Sequence, residues 1–172
     1  MCIRDSMLTN YVDSTVNYYG KVFINYYRYS EPIPEIDWTL HEEDETLDVM
    51  GYECRKATAT WRGREWTAWY SDIPLSSGPW KFNGLPGLIL RLEDSKGEHV
   101  FEAMATKDDV FPFGYKDKLY CKTTREKYEE SLTDYKHHAG RVAADMGMVQ
   151  MTDEERKKYE NRRLFHNPIE LE

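Results

Sequence analysis

Between Ile73 and Leu90 the chain sets three glycines and three prolines into eighteen positions: Ile73-Pro74, Ser77-Gly78-Pro79-Trp80, then Gly84-Leu85-Pro86-Gly87-Leu88-Ile89-Leu90. No other stretch limits the backbone as strongly. Each proline fixes φ and removes an amide donor, so neither a helix nor a central strand can run through the segment. Gly84 and Gly87 open φ values closed to other residues. Leu85-Pro86-Gly87-Leu88 suits a type II turn, with Pro at the second position and Gly at the third. The aliphatic run Leu88-Ile89-Leu90 then reads as a core strand. Gly84, Leu85, Pro86, Gly87, Leu88 and Ile89 are thus expected to form a structural turn that sets the register of two strands. The functional alternative is a backbone loop that contacts a ligand or partner.

The flanks predict what this turn connects. Val16 to Tyr29 is rich in Tyr, Val, Phe and Ile and is bounded by Gly20 and Ser30-Glu31-Pro32, which reads as a strand. Ile36-Asp37-Trp38-Thr39-Leu40 alternates as a half-buried strand, and the acidic stretch His41 to Asp48 reads as a solvated turn. Gly51 opens a strand over Tyr52 to Thr60, with Tyr52, Cys54, Lys56 and Thr58 sharing one face. Arg62-Gly63-Arg64 has the form of a tight hairpin turn. Glu65 to Tyr70 returns with Trp66, Ala68 and Tyr70 on one side and Trp69 on the other. Leu88 to Asp94 and His99 to Thr106 are expected to pair around Ser95-Lys96-Gly97-Glu98. Short strands at this spacing predict an antiparallel sheet, curved or rolled into an open half-barrel.

The pattern changes after Phe113-Gly114. Thr123-Thr124-Arg125-Glu126 has the form of a capping box, with Thr123 at the cap. Tyr128, Leu132, Tyr135, Ala139, Val142 and Met146 follow at helical spacing, interrupted by Gly140. Thr152-Asp153-Glu154-Glu155 repeats the capping pattern before a charged helix ending near Arg163. The expected fold is mainly β, of the α+β kind: strands over residues 16–113, helices over 124–163 and an extended tail over 164–172. Residues 1–8 read as a leader foreign to the domain, because Met1-Cys2-Ile3-Arg4-Asp5-Ser6 precedes a second Met7, and residues 9–172 as a single domain.

Composition excludes several function classes. A net charge of −8 disfavours a nucleic-acid partner, which would need clustered Lys and Arg. No stretch approaches the ~20 apolar residues of a membrane helix, and mean hydropathy is −0.78. The first twenty residues carry no signal-peptide pattern. Aromatics are plentiful, with thirteen Tyr, six Phe and five Trp. They serve as strand residues or as a stacking surface, and if a ligand is held on the concave side of the sheet, Trp66, Trp69, Tyr70, Trp80 and Phe82 are its candidates.

Catalytic chemistry finds little footing. No Gly-x-Ser-x-Gly elbow surrounds Ser76 or Ser77. The pairs Glu42-Glu43, Glu129-Glu130 and Glu154-Glu155 read as solvated charge. Among His41, His99, His137, His138 and His166 only His137-His138 are adjacent, and helix neighbours diverge and do not chelate as an i,i+4 pair would. Glu130 and Asp134 lie near that pair, yet no metal site or cofactor is expected. Cys54 and Cys121 are either a disulfide closing a long loop or two unpaired buried thiols, the second being favoured. Arg62, Arg64, Lys81 and Arg91 could line a pocket for an anion, but the solvent face is the expected location.

Taken together, Gly84-Leu85-Pro86-Gly87-Leu88-Ile89 resembles the motif that names the GLPGLI family of Bacteroidota envelope proteins. Gly51-Tyr52-Glu53-Cys54-Arg55-Lys56-Ala57, Gly63-Arg64 with Ala68-Trp69-Tyr70, the lead-in Ile73-Pro74 and Ser77 to Phe82, and the ending Asn167-Pro168-Ile169-Glu170-Leu171 are similar to that family in the same order, over about residues 16–172. The resemblance implies a periplasmic, outer-membrane-associated or secreted protein of uncharacterised function, with no catalytic residues to carry over. Family members carry an export signal, so an N-terminal truncation is expected here. The leading reading is a non-enzymatic binding module for a lipid, acyl or peptide ligand. The alternative is a structural accessory subunit that docks an outer-membrane partner; a hydrolase ranks last.

Overall fold

The structure is a computed structural model that describes residues 6–41, 45–107, 119–164 and 167–171. Among these, the order of elements is β1 (Ser6–Asn10), β2 (Thr15–Val22), β3 (Asn25–Pro32), β4 (Thr39–Leu40), β5 (Thr46–Val49), β6 (Tyr52–Trp61), β7 (Arg64–Tyr70), β8 (Ile89–Asp94), β9 (Val100–Glu102), β10 (Cys121–Lys122), α1 (Arg125–Asp145) and α2 (Asp153–Leu164). The fold is mostly β, in two sheets not closed into a barrel, with two helices after the strands. A mainly β body with helices after it is what the patterning predicts, but β1 and β10 lie outside the expected strand span of 16–113, and β1 takes Ser6, Met7 and Leu8 from the stretch read as a foreign leader. The chain forms two compact units, one within residues 1–32 and 114–167, the other within 33–113 and 168–172.

The first unit holds the sheet β1-β2-β3-β10, antiparallel except for β10, which runs parallel to β3. The stretch expected as one strand over Val16 to Tyr29 is instead a hairpin that turns at Phe23-Ile24, with Phe23 at φ 56°. Neither central residue of that turn is Gly, Pro or Asn, so composition hides it. Pairing Tyr18 with Tyr29 stacks their rings at 4.8 Å, and Tyr128 of α1 meets Tyr18 edge-on at 5.2 Å. Gly20 sits in mid-strand and does not end it. A Cβ there would lie 2.6 Å from the Tyr128 hydroxyl, so the missing side chain makes room for the helix.

Helix α1 begins one residue later than expected. Thr124 is the cap, and its Oγ1 accepts from the Lys127 amide at 3.4 Å. The helix also runs unbroken through Gly140, where a Cβ would meet Arg156 Cγ at 2.6 Å. That glycine is a point of close approach between α1 and α2. The second cap is as the sequence predicts: the Thr152 amide donates to Glu155 Oε2 at 2.9 Å, and the Glu155 amide to Thr152 Oγ1 at 3.3 Å.

The second unit holds an all-antiparallel sheet in the order β4-β6-β7-β8-β9, with β5 also beside β6. Strand β5 occupies part of the stretch read as a solvated turn; Glu42, Glu43 and Asp44 lie outside the described residues. Only Thr39–Leu40 of the expected Ile36–Leu40 strand pairs, because Trp38 packs on the core and donates its Nε1–H to the Asn83 carbonyl at 2.8 Å. The β6–β7 hairpin turns at Arg62 (φ 50°) and Gly63 (φ 73°), the two left-handed residues of a type I′ turn. Ala57 and Trp61 of β6, Trp66, Ala68 and Tyr70 of β7, and Ile89 and Leu92 of β8 form one core cluster with Phe82 and Leu85. Cys54, Val49 and Leu90 form a second, smaller one.

Candidate functional site

Residues 71–88 join β7 to β8 and carry the Gly/Pro segment. Three backbone bonds tie it down: Ser71 N–H to the Leu88 carbonyl (2.9 Å), Leu88 N–H to the Ile73 carbonyl (3.1 Å) and Ile89 N–H to the Ser77 carbonyl (2.9 Å). Gly84 has φ 91°, and its amide donates to Ser76 Oγ at 3.1 Å. Gly87 lies outside the left-handed region, which excludes the expected type II turn. Its reason for being glycine is different: a Cβ would fall 1.7 Å from the Ser71 carbonyl oxygen. Backbone lies directly on backbone at that point. Leu85 and Ile89 fill the main core, Leu88 packs on the smaller cluster, and Pro86 stays exposed.

Four of the five candidate rings come together. Trp66 and Phe82 are each 1% exposed and meet edge-on at 4.7 Å, and Trp61 approaches Phe82 from another side at 4.9 Å. Tyr70 is buried in the same cluster, and half-buried Trp80 packs against it. Trp69 does not join them. One position out of phase with Trp66 and Tyr70, it packs with Leu90 and Cys54. Trp80 is held at φ 55°, a left-handed conformation rare for a bulky side chain.

The basic residues depart most from expectation. Arg64 and Lys81 are buried, 6% and 5% exposed, where the sequence reading placed them on the solvent face. Lys81 Nζ lies 2.9 Å from Glu170 Oε1, and the Trp80 indole Nε1–H donates to the same oxygen at 2.8 Å. Arg62 Nε stands 3.6 Å from Glu170 Oε2. Arg64 Nη1 contacts Asp94 Oδ2 and Glu98 Oε2, both at 2.8 Å, while its Nη2 donates to the Pro168 carbonyl at 3.0 Å. Buried cations persist only where carboxylates offset their lost hydration. Here the partner of Lys81 comes from the C-terminal segment, far away in sequence, and no local pattern announces it. Arg91 does stay nearer the surface, bridging Glu93 and Glu102.

The segment expected as an extended tail is therefore an integral part of the second unit. Leu171 N–H donates to the Arg62 carbonyl at 3.0 Å, and Ile169 packs against the main core. Electrostatics reinforce the frame around it. Burial raises the Asp94 pKa, but the amides of His99 and Glu98 and the Arg64 guanidinium outweigh this and leave it below the ordinary carboxylate range. Glu98, acting against burial and together with Asp94, holds Arg64 above its ordinary value.

The other sequence candidates lie apart. Cys54 is buried, with its pKa raised by burial, whereas Cys121 is exposed rather than buried; both are free thiols. His138 Nδ1 contacts Asp134 Oδ1 at 3.0 Å on the surface of α1, and His41 Nε2 lies 2.9 Å from the Thr58 hydroxyl. Cys2, His166 and the Glu42-Glu43 pair lie outside the described residues. Glu129-Glu130 and Glu154-Glu155 are exposed. Among the described residues no three His, Cys, Asp or Glu side chains are grouped to hold a metal ion, and no helix is long and apolar enough to cross a membrane.

Residues 62–91, from the β6–β7 turn through the Gly/Pro segment into β8, match the sequence model of a family described as "Protein of unknown function (Porph_ging)". No curated protein matches the chain. Two solved structures share the fold: PNGF-II in space group C2, at TM-score 0.60 and 18% identity, and PNGF-II in space group P21, at TM-score 0.60 and 16% identity. In each case the likeness covers 77% of this chain and 25% of the PNGF-II chain, so it spans about a quarter of that longer protein.

Proposed function

We propose that this chain is a non-enzymatic binding module of the GLPGLI type, working in the periplasm, at the outer membrane or after secretion. The family match over residues 62–91 supports the type, since that stretch contains the Gly/Pro motif, the strand before it and the first half of the strand after it. One observation carries the binding role. Trp80 is kept in a left-handed conformation at the margin of an assembled aromatic block, with its indole N–H directed at a carboxylate. Strained residues of this kind persist where the surroundings over-determine them, and they concentrate at functional sites. Trp66, Tyr70 and Phe82 supply the packed support behind Trp80, and the ligand engages the margin they hold up.

A second reading, an accessory subunit that docks a partner protein, draws support from the first unit. There Ile24, Tyr26 and Leu119 are 53%, 41% and 62% exposed beside the Tyr26–Tyr120 ring contact. Native mass spectrometry of the full-length protein taken from its own host separates the two. A retained small molecule or peptide supports the binding module, and a stoichiometric protein partner supports the accessory subunit. A bare monomer counts against both.

A further inference from the structure

We infer that the seat formed by Trp80, Lys81, Arg62 and Arg64 is a peptide-binding site that reads a glutamate flanked by aliphatic residues, and that it is filled in cis by the chain's own Pro168–Leu171. The inference rests on the binding-module reading and names its ligand class. The contacts to the segment described above are of kinds used for extended peptides. The main chain is held at two points, by the bond from Leu171 N–H to the Arg62 carbonyl and by Arg64 Nη2 on the Pro168 carbonyl. Ile169 supplies an apolar anchor on the core cluster. Glu170 is read by Trp80 Nε1 and Lys81 Nζ on a single oxygen, with Arg62 near the other.

The seat itself is built from residues 62–64 and 80–81, with no contribution from the segment it holds. Its selectivity follows from burial. Lys81 is 5% exposed and its Nζ lies 2.9 Å from Glu170 Oε1, so an occupant without a carboxylate would take that negative charge away from a buried ammonium, which is unfavourable. Glutamate is accepted for that reason, and glutamine, of the same shape, is rejected. Tethering gives the chain's own segment an effective concentration on the order of millimolar. A free peptide of the same chemistry must therefore compete at comparable concentration, or meet a chain whose own segment is weakened.

The test uses the full chain and the probe acetyl-Pro-Ile-Glu-Leu-amide, with its Gln analogue as comparison, followed through the Trp80 indole N–H resonance. Glu170→Gln should bind the Glu probe at least tenfold more tightly than the unsubstituted chain does, and should not bind the Gln probe. Equal binding of both probes, or none of either by the folded variant, overturns the proposal. Should Glu170→Gln fail to fold, hydrogen exchange at the Leu171 amide of the unsubstituted chain decides. Millimolar Glu probe should accelerate that exchange severalfold, and unchanged exchange overturns the proposal. A retained apolar ligand in native mass spectrometry, together with failure here, would remove the peptide site and leave the binding module standing.

Discussion

Gly84 and Gly87 are the same residue type three positions apart, and they answer different demands. Gly84 needs its positive φ but has space around it, the nearest foreign atom to a Cβ being Trp38 Cδ1 at 3.7 Å. Gly87 has an ordinary φ and no space at all. Gly84→Ala should therefore cost about 1–2 kcal/mol, the strain of a left-handed L-residue. Gly87→Ala should cost about 3 kcal/mol or more, at or past the upper end of overpacking penalties. Urea denaturation of both variants checks this, and equal losses would refute the distinction. The buried pair gives a second prediction. Lys81→Met alone removes the buried cation 2.9 Å from Glu170, leaving the carboxylate to the Trp80 indole N–H and to Arg62, and should destabilise by about 3 kcal/mol, whereas Lys81→Met with Glu170→Leu should recover part of the loss. A double-mutant cycle on denaturation midpoints measures the coupling. Trp66 and Tyr70 were legible in the sequence through strand alternation, whereas Trp80 and Phe82 lie in the loop between β7 and β8, where alternation says nothing, and Trp61 was not singled out. Lys81 and Arg64 were not legible, because a charge reads as solvated until its partner is known, and Glu170 lies in a segment with no visible claim on the core.

At the level of elements, alternation located β6, β7 and β8, and Gly63 located the turn between the first two. The β2–β3 hairpin escaped because Phe23 and Ile24 resemble strand residues, and the register that defines the turn, from Val22–Asn25 out to Tyr18–Tyr29, is a non-local property. Strand β5 escaped because acidic neighbours outweighed Leu47 and Val49. The cap of α1 was misplaced by one position, since Thr123 and Thr124 are equivalent in composition. Only Thr124 presents its hydroxyl to the Lys127 amide; the Thr123 amide is engaged by the Arg28 carbonyl. Thr124→Ala should thus lower stability by about 1 kcal/mol, the usual loss of an N-cap. Thr123→Ala should change it by less than half that amount. Thermal unfolding of the two single variants distinguishes the positions, and a larger loss at Thr123 would restore the sequence-based cap.

For the molecule as a whole, the depressed carboxylates set the response to acid. Asp94 has a folded-state pKa below its unfolded value, so its contribution is complete above the unfolded value, about 3.9. It is lost as pH falls through the lower, folded-state value. Glu126 and Glu155, held down by Thr124 and Thr152, act in the same direction from exposed positions. Denaturation at pH 7 and pH 3 should show Asp94→Asn less stable than the unsubstituted protein at pH 7, with the gap narrowing at pH 3. A gap that widened in acid would contradict the assignment. The division into two units was the feature least visible in the sequence, because the second unit recruits residues 168–171 from beyond both helices. That recruitment also orders events in time. As the chain emerges from the ribosome, β6, β7 and the Trp80-Lys81 loop appear first, and Glu170 follows only after α1 and α2 have been made. Until then the Lys81 ammonium must keep its water or find another carboxylate, so the nascent second unit passes through a period in which its seat is open.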